Sequence, residues 1–442
     1  MSWRWIRVAL ITVAVAGCTA APSVTPTPTA TAPASVAPSP SPSPSPNFAG
    51  LTLTLWTSTG IAQPFQDVWA NFEKATGVKI DYIAIPDPLE DTLLAKWIAG
   101  DRPDILGFHG LPTWLQRLQA TTNLVDLSNE EFVGKMKFPV YDYVGKLDGK
   151  VYSAFTAYPT VGGAFYNREV FSRLNLTPPS DWNGLKALCG QIRAADPSVT
   201  PIVLGAGAQW PIFFFGSAYM SDEVKAGLEN EINEGTLNFT HPRVLAEFEM
   251  LLDFKAQGCF EEDLATSQYE DQTARLWDGT AALMFSGSFV LDDLNATHGI
   301  DAVAAKIGYF PLSAKDQVAM WTVSQAGSYQ VPVNKDPLKQ AAALAFVRYV
   351  TGEGYGSYLE ASGDLPILEG FPEPSTVTET RRELDAALKR DSVPMYNTQF
   401  KYFPGPYHVW MNEMLTTGSK SPEDIGRAMQ EAWDAAAAAA GS

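Results

Sequence analysis

The sequence predicts an α/β fold in which a parallel sheet is covered by helices on both faces. Three observations predict it. Leu51-Thr52-Leu53-Thr54-Leu55-Trp56 alternates apolar and polar residues, the period of a strand. Phe65, Val68, Trp69 and Phe72 then recur at i, i+3, i+4 and i+7, one face of a helix that Gly77 stops. The same grammar repeats into a β-α-β-α-β order, which asks for parallel strands joined by helical crossovers.

The next elements follow in order. Val78 to Ile85 reads as a second strand, with Val78, Ile80 and Tyr82 on one face. A helix carrying Leu93, Leu94, Trp97 and Ile98 stops at Gly100, and Pro103-Asp104-Ile105-Leu106 starts a third strand. Val151 to Asn167 is strand-rich. Asp181 to Ala194 and Pro242 to Gln257 are helical, and Ala281 to Phe285 is a short buried strand. Lys339 to Val350 and Ser421 to Ala440 are helices. Trp69, Trp97, Trp277 and Trp433 fall on helical faces and are assigned to packing. Gly352-Glu353-Gly354-Tyr355-Gly356 lacks the Lys-Ser/Thr of a phosphate loop and reads as a helix start. Glu261-Glu262-Asp263 reads as solvated loop charge.

Composition removes several functional classes. The chain has 442 residues and a formal charge of −18, with 46% hydrophobic and 18% charged residues. At about 150 residues per domain, two or three domains are expected. A pI near 4.7 argues against nucleic-acid binding, which favours a basic face. His109, His241, His298 and His408 form no HExxH pair, and three cysteines cannot make a thiolate zinc cluster, so no metal is expected. No Gly-x-Ser-x-Gly elbow is present. No cofactor is expected.

The N-terminus reads as an address. Arg4 and Arg7 precede an apolar run, Val8 to Ala16, too short to span a bilayer and suited to a signal peptide. Val15-Ala16-Gly17-Cys18 resembles the bacterial lipobox, which places a signal peptide over 1–17 and lipid on Cys18. Residues 18–47 are the lipidated cysteine and a Pro/Ser/Thr-rich tether that cannot bury enough apolar surface to fold. Held extended by proline, such a tether reaches about 80 Å. The expected location is outside the cytoplasm, lipid-anchored to the outer face of the cytoplasmic membrane. In that oxidising setting Cys189 and Cys259 either form a structural disulfide, the preferred reading, or remain two buried thiols.

The body resembles the type 1 extracellular solute-binding proteins of ABC transporters, in the maltose and multiple-sugar group. The similarity runs from Leu51 to about Trp433 and is distributed. It rests on Leu53-Thr54-Leu55-Trp56, Pro103-Asp104-Ile105-Leu106, Gly149-Lys150-Val151-Tyr152 before Phe165-Tyr166-Asn167, and Trp277-Asp278-Gly279-Thr280-Ala281-Ala282-Leu283-Met284 before Gly287-Ser288-Phe289. Ser328-Tyr329-Gln330-Val331-Pro332 and Gly363-Asp364-Leu365-Pro366 complete it. One departure is Phe289, where the family often has Trp, so stacking there is expected to be weaker.

The resemblance implies the two-lobed periplasmic-binding-protein fold (type II), each lobe a sheet flanked by helices, with a ligand cleft between. Mapped here, lobe 1 is 48–157 plus 328–393 and lobe 2 is 158–327 plus 394–442. It implies a monomeric carrier that captures a small-molecule carbohydrate and hands it to ABC permease subunits, with no catalysis. Sugar rings ask for aromatic faces, and their hydroxyl rims ask for amides, carboxylates and hydroxyls. Trp210, beside Gln209, is the first stacking candidate, although it could be a buried helix start. Phe108 and His109 follow, then Trp56, Tyr158, Phe289, Trp321 and Trp410. Ser58, Thr59, Gln209, Ser286 and Gln325 are the polar candidates. Trp56 could equally be core. The rivals are the same fold with another cargo, such as a polyamine or small peptide, and a surface-anchored glycoside hydrolase.

Overall fold

The computed structural model describes residues 47–86 and 89–440. The signal peptide, Cys18 and the tether up to residue 46 lie outside them. The strands are β1 (Thr52–Ser58), β2 (Lys79–Ile85), β3 (Ile105–Gly107), β4 (Lys146–Leu147), β5 (Lys150–Val151), β6 (Ala154–Phe155), β7 (Thr160–Asn167), β8 (Thr200–Val203), β9 (Ala281–Gly287), β10 (Ile307–Phe310), β11 (Ala319–Thr322), β12 (Ser328–Gln330) and β13 (Ser392–Pro394). The first sheet runs β2-β1-β3-β12-β6. The second runs β13-β11-β7-β9-β8, with β10 also on β7, and β4 and β5 make a small hairpin.

The predicted β-α-β-α-β opening is present. β1 pairs in parallel with β2 and β3, with Leu53 opposite Ile80 and Leu55 opposite Ile105. The helix Gln63–Thr76 buries Val68, Trp69 and Phe72, three of the four residues of its predicted face, and ends at Gly77 with a left-handed φ of 74°. The remainder corrects the expectation of a wholly parallel sheet. β12 is antiparallel to β3 and β6, and β7 is antiparallel to β9, β10 and β11. These partners come from distant parts of the chain and need no helical crossover, so nothing forces them parallel.

Period-2 alternation sends β1 into two cores. Leu53 and Leu55 join Trp69 and Phe72, while Trp56 faces Leu93, Trp97 and Phe108. A further apolar core lies under the second sheet around Trp182, Phe215, Phe248, Phe254 and Met411. The chain passes between the sheets side by side at 155–160 and 322–328, where the Thr156 N–H donates to the Gly327 carbonyl at 2.8 Å. Residues 328–393 serve both sheets. Helices Pro337–Val350 and Tyr355–Ser362 pack on Gln63–Thr76, whereas helix Glu379–Arg390 packs on β10, β11 and β13. Arg381 of that last helix is buried between Asp292 and Asp364, and the Tyr358 hydroxyl donates to Asp364 at 2.6 Å. Cys189 and Cys259 form a disulfide, with Cα atoms 5.3 Å apart. No helix among the described residues is long and apolar enough to cross a membrane.

Candidate ligand cleft

Three helices start where strands of the second sheet, or the segment beside them, come to an end. Each start brings an aromatic ring. β8 runs through a short turn into the helix Ile212–Lys225, and Trp210 lies in that turn. β9 runs into the helix Phe289–His298. The helix Tyr269–Asp278 starts beside them, with a complete capping box between Gln268 and Asp271. Trp210, Tyr269 and Phe289 form one ring surface. Trp210 is 5.0 Å from Tyr269 and 5.8 Å from Phe289, and Tyr269 is 5.9 Å from Phe289. Phe214 supports them from behind, edge-on, 5.6 Å from Phe289. Trp210 and Phe289 are only partly buried.

A carboxylate borders this surface. The Tyr269 hydroxyl donates to Asp293 Oδ2 at 2.6 Å. Burial pushes the Asp293 carboxyl above the ordinary aspartate range, against the pull of that bond. Its neighbour Asp292 is committed to Arg381 and is raised to about 6, chiefly by burial. Asp293, with Glu270 acting on it electrostatically, is thus an acidic group beside the rings.

The first turn of helix Ile212–Lys225 links the rings to a second cluster. Phe213 packs against His408 and Tyr407, with centroids 4.7 and 4.8 Å away. His408 in turn acts electrostatically on Glu90, and Glu90 Oε1 lies 3.3 Å from His109 Nε2. Phe108 lies tilted against His109 at 4.1 Å, and Trp114 stands 5.5 Å from Phe108 and 5.8 Å from Phe403. The Arg117 guanidinium covers both Trp114 and Phe403, at 4.2 and 4.6 Å. Burial alone would raise Glu90. The His109 hydrogen bond and charge outweigh it and hold the carboxylate below its ordinary range. Burial lowers His408, opposed by Glu90 and Asp91. His109 Nδ1 and His408 Nδ1 are buried without a hydrogen-bond partner among the described residues.

The sequence-derived candidates divide accordingly. Trp210 and Phe289 come together. Phe108 and His109 belong to the second cluster. Gln209 precedes Trp210 with a strained φ of 66° and ψ of −57°. Ser286 is buried in β9, its hydroxyl without a partner among the described residues. The others are placed elsewhere. Trp56 is in the core beneath Lys96. Trp321 is buried edge-on against Phe138 and Tyr143. The Tyr158 hydroxyl donates to Asp385 at 2.7 Å. The Ser58 carbonyl accepts from the Tyr82 hydroxyl at 2.5 Å, and Thr59 is exposed. The Gln325 carbonyl accepts from the Ser328 N–H at 3.2 Å. Trp410 leans over Gly405, with the Lys420 ammonium 6.0 Å from its ring. Sequence reasoning missed Tyr269, Phe213, Glu90, Trp114, Arg117, Phe403 and Asp293. The capping pattern around Gln268 was the one local signal that could have drawn attention to Tyr269.

A family model described as bacterial extracellular solute-binding protein matches residues 67–382. An uncharacterized ABC transporter extracellular-binding protein of Pyrococcus horikoshii is 27% identical over 243 residues, covering 52% of this chain and 55% of that relative. The match thus spans little more than half of the relative's length. Among solved structures, a chitin oligosaccharide binding protein aligns with a TM-score of 0.74 at 22% identity, over 88% of this chain and 99% of that one. A solute-binding protein in complex with raffinose aligns at 0.70 and 18%, over 87% and 99%. A sugar transporter protein of Bacillus licheniformis in complex with stachyose aligns at 0.66 and 17%, over 87% and 100%. These likenesses establish a shared fold with binding proteins of two lobes.

Proposed function

The chain belongs to the bacterial extracellular solute-binding proteins, and from that membership we propose that it captures a carbohydrate between two lobes and delivers it to an ABC permease. The ring surface of Trp210, Tyr269 and Phe289 beside Asp293 is the observation that carries this reading. Flat rings match the C–H face of a pyranose, and stiff side chains lose little entropy on binding. Asp293 accepts from sugar hydroxyls. Glu90, His109 and His408 add acceptors and donors at the other end of the strip.

In this reading the first sheet with its helices forms lobe 1, and the second sheet with helix Glu379–Arg390 forms lobe 2. The paired crossings at 155–160 and 322–328 act as the hinge. The closed form binds sugar better than the open form, so the ligand shifts the population toward it. Lipid on Cys18 holds the monomeric protein at the outer face of the membrane, and nothing is turned over.

Titration calorimetry of the full chain against chitotetraose, raffinose, stachyose and xylotetraose is expected to show saturable one-to-one binding of at least one. Trp210→Ala is expected to weaken that binding about 30-fold, the loss of about 2 kcal/mol that an aromatic anchor carries. Cleavage of the bound glycan, or no binding across a broad saccharide panel, would overturn the proposal.

A further inference from the structure

The carboxylate of Glu261, expected from sequence to be solvated, is buried at 3% exposure. It accepts from the backbone N–H groups of Leu204 and Gly205, each at 2.9 Å. These two amides lie just past β8, the edge strand of the second sheet, where the ladder to β9 has ended. Segment 259–269 lies alongside them at both ends, with a turn at 262–266 between. The Ile202 N–H donates to the Cys259 carbonyl at 2.9 Å, and the Gly207 N–H donates to the Ser267 carbonyl at 2.8 Å. Two residues beyond Ser267, Tyr269 meets Trp210.

The fit is close along this zipper. A Cβ on Gly207 would fall 2.7 Å from Gln268 Nε2 and 2.8 Å from the Ser267 carbonyl. Gln272 donates to the Val203 carbonyl at 3.0 Å, and Asn412 donates to the Ala206 carbonyl. Glu261 is the only side chain on segment 259–269 shown holding two amides of the facing loop among the described residues. Removing it leaves two N–H groups without their acceptor, and an unmade buried hydrogen bond is costly. The loop could relieve that cost by turning its amides toward water, and that motion would carry Gln209 and Trp210 away from Tyr269.

We infer that Glu261 is a positioning residue that sets the Trp210 ring against Tyr269 and so shapes the aromatic surface of the cleft. This rests on the carbohydrate reading only for its effect on affinity. Its structural part is independent of any ligand.

The test labels the full chain with fluorotryptophan and assigns the Trp210 fluorine resonance by its loss in Trp210→Phe. Glu261→Gln presents one acceptor and one competing donor to the two amides. It is expected to shift and broaden the Trp210 resonance while leaving those of Trp69 and Trp97 unmoved. Should that variant not fold, Glu261→Asp, too short to reach both amides, is read in the same way. An unmoved Trp210 resonance overturns the inference. In calorimetry with the tightest binder among chitotetraose, raffinose and stachyose, Glu261→Gln is expected to lose at least tenfold in affinity. In the Trp210→Ala background it should add nothing further, which a purely structural role would not produce. Undiminished affinity with a shifted resonance also overturns the inference. If no saccharide binds the wild type but the resonance shifts, the carbohydrate reading falls and the positioning role stands.

Discussion

Glu247→Gln is expected to flatten the dependence of stability on pH. Glu247 sits on the helix Pro242–Ala256, fully buried, and neither carboxyl oxygen has a hydrogen-bond partner among the described residues. The neighbouring helix touches it so closely that a Cβ on Gly216 would lie 2.1 Å from Oε1. Burial pushes its pKa from 4.5 to about 8. The folded protein therefore holds a proton that the unfolded chain releases near 4.5. The stabilisation is present in full below that value and is lost as pH rises through about 8. At about 1.4 kcal/mol per unit, the swing is about 5 kcal/mol. Glu229, also raised to about 8 by burial, adds a slope of the same sign. Denaturant unfolding at several values between about pH 5 and pH 9 should show wild type losing stability steadily. Glu247→Gln should lose much less and exceed wild type at the alkaline end. Parallel profiles for the two proteins would sink this account.

That glutamate also shows where a sequence stops being readable. Glu247 occupies a helix whose apolar face was legible from Leu245, Phe248, Leu251 and Leu252, but its own burial depends on a second helix about thirty residues earlier in the chain, at Gly216. Local periods were legible because they arise from neighbours a few residues apart. They located β1, the end of the helix Gln63–Thr76 and the helix Pro242–Ala256 to within a residue or two. The alternation in β1 showed that Leu55 and Trp56 must part, yet not which would meet a cleft, and Trp56 went to a core. His109 and His408 are separated by most of the body, and only tertiary packing brings Glu90 between them. Glu261, Glu262 and Asp263 looked alike as a charge run. The structure separates them, with Glu261 holding backbone amides and Asp263 pairing with Arg275 at 2.5 Å. Strand direction was the least readable feature, since β3 and β12 are more than two hundred residues apart.

Reduction of the Cys189–Cys259 disulfide is expected to lower stability by about 4 kcal/mol. The bond closes a loop of 70 residues, and the chain-entropy model gives that magnitude for freeing such a loop in the unfolded state. The loop contains β8, Trp210 and the helices Ile212–Lys225 and Pro242–Ala256, so it carries one of the three rings, while Tyr269 and Phe289 lie beyond it. Its end is also held without the bond. Arg193 donates to the Gly258 and Phe260 carbonyls at 3.1 and 3.2 Å, and the Cys259 carbonyl accepts from Ile202. The folded geometry around Trp210 should thus survive reduction, and the loss should be global rather than local. Urea unfolding of Cys189→Ala/Cys259→Ala should show a midpoint well below that of the oxidised protein. In the absence of denaturant, the fluorine resonance of Trp210 should match that of the oxidised protein. A midpoint that reductant leaves in place would show that the crosslink does not constrain the unfolded chain. A displaced Trp210 resonance would show that the bond, more than Arg193 and Glu261, holds segment 259–269 against β8.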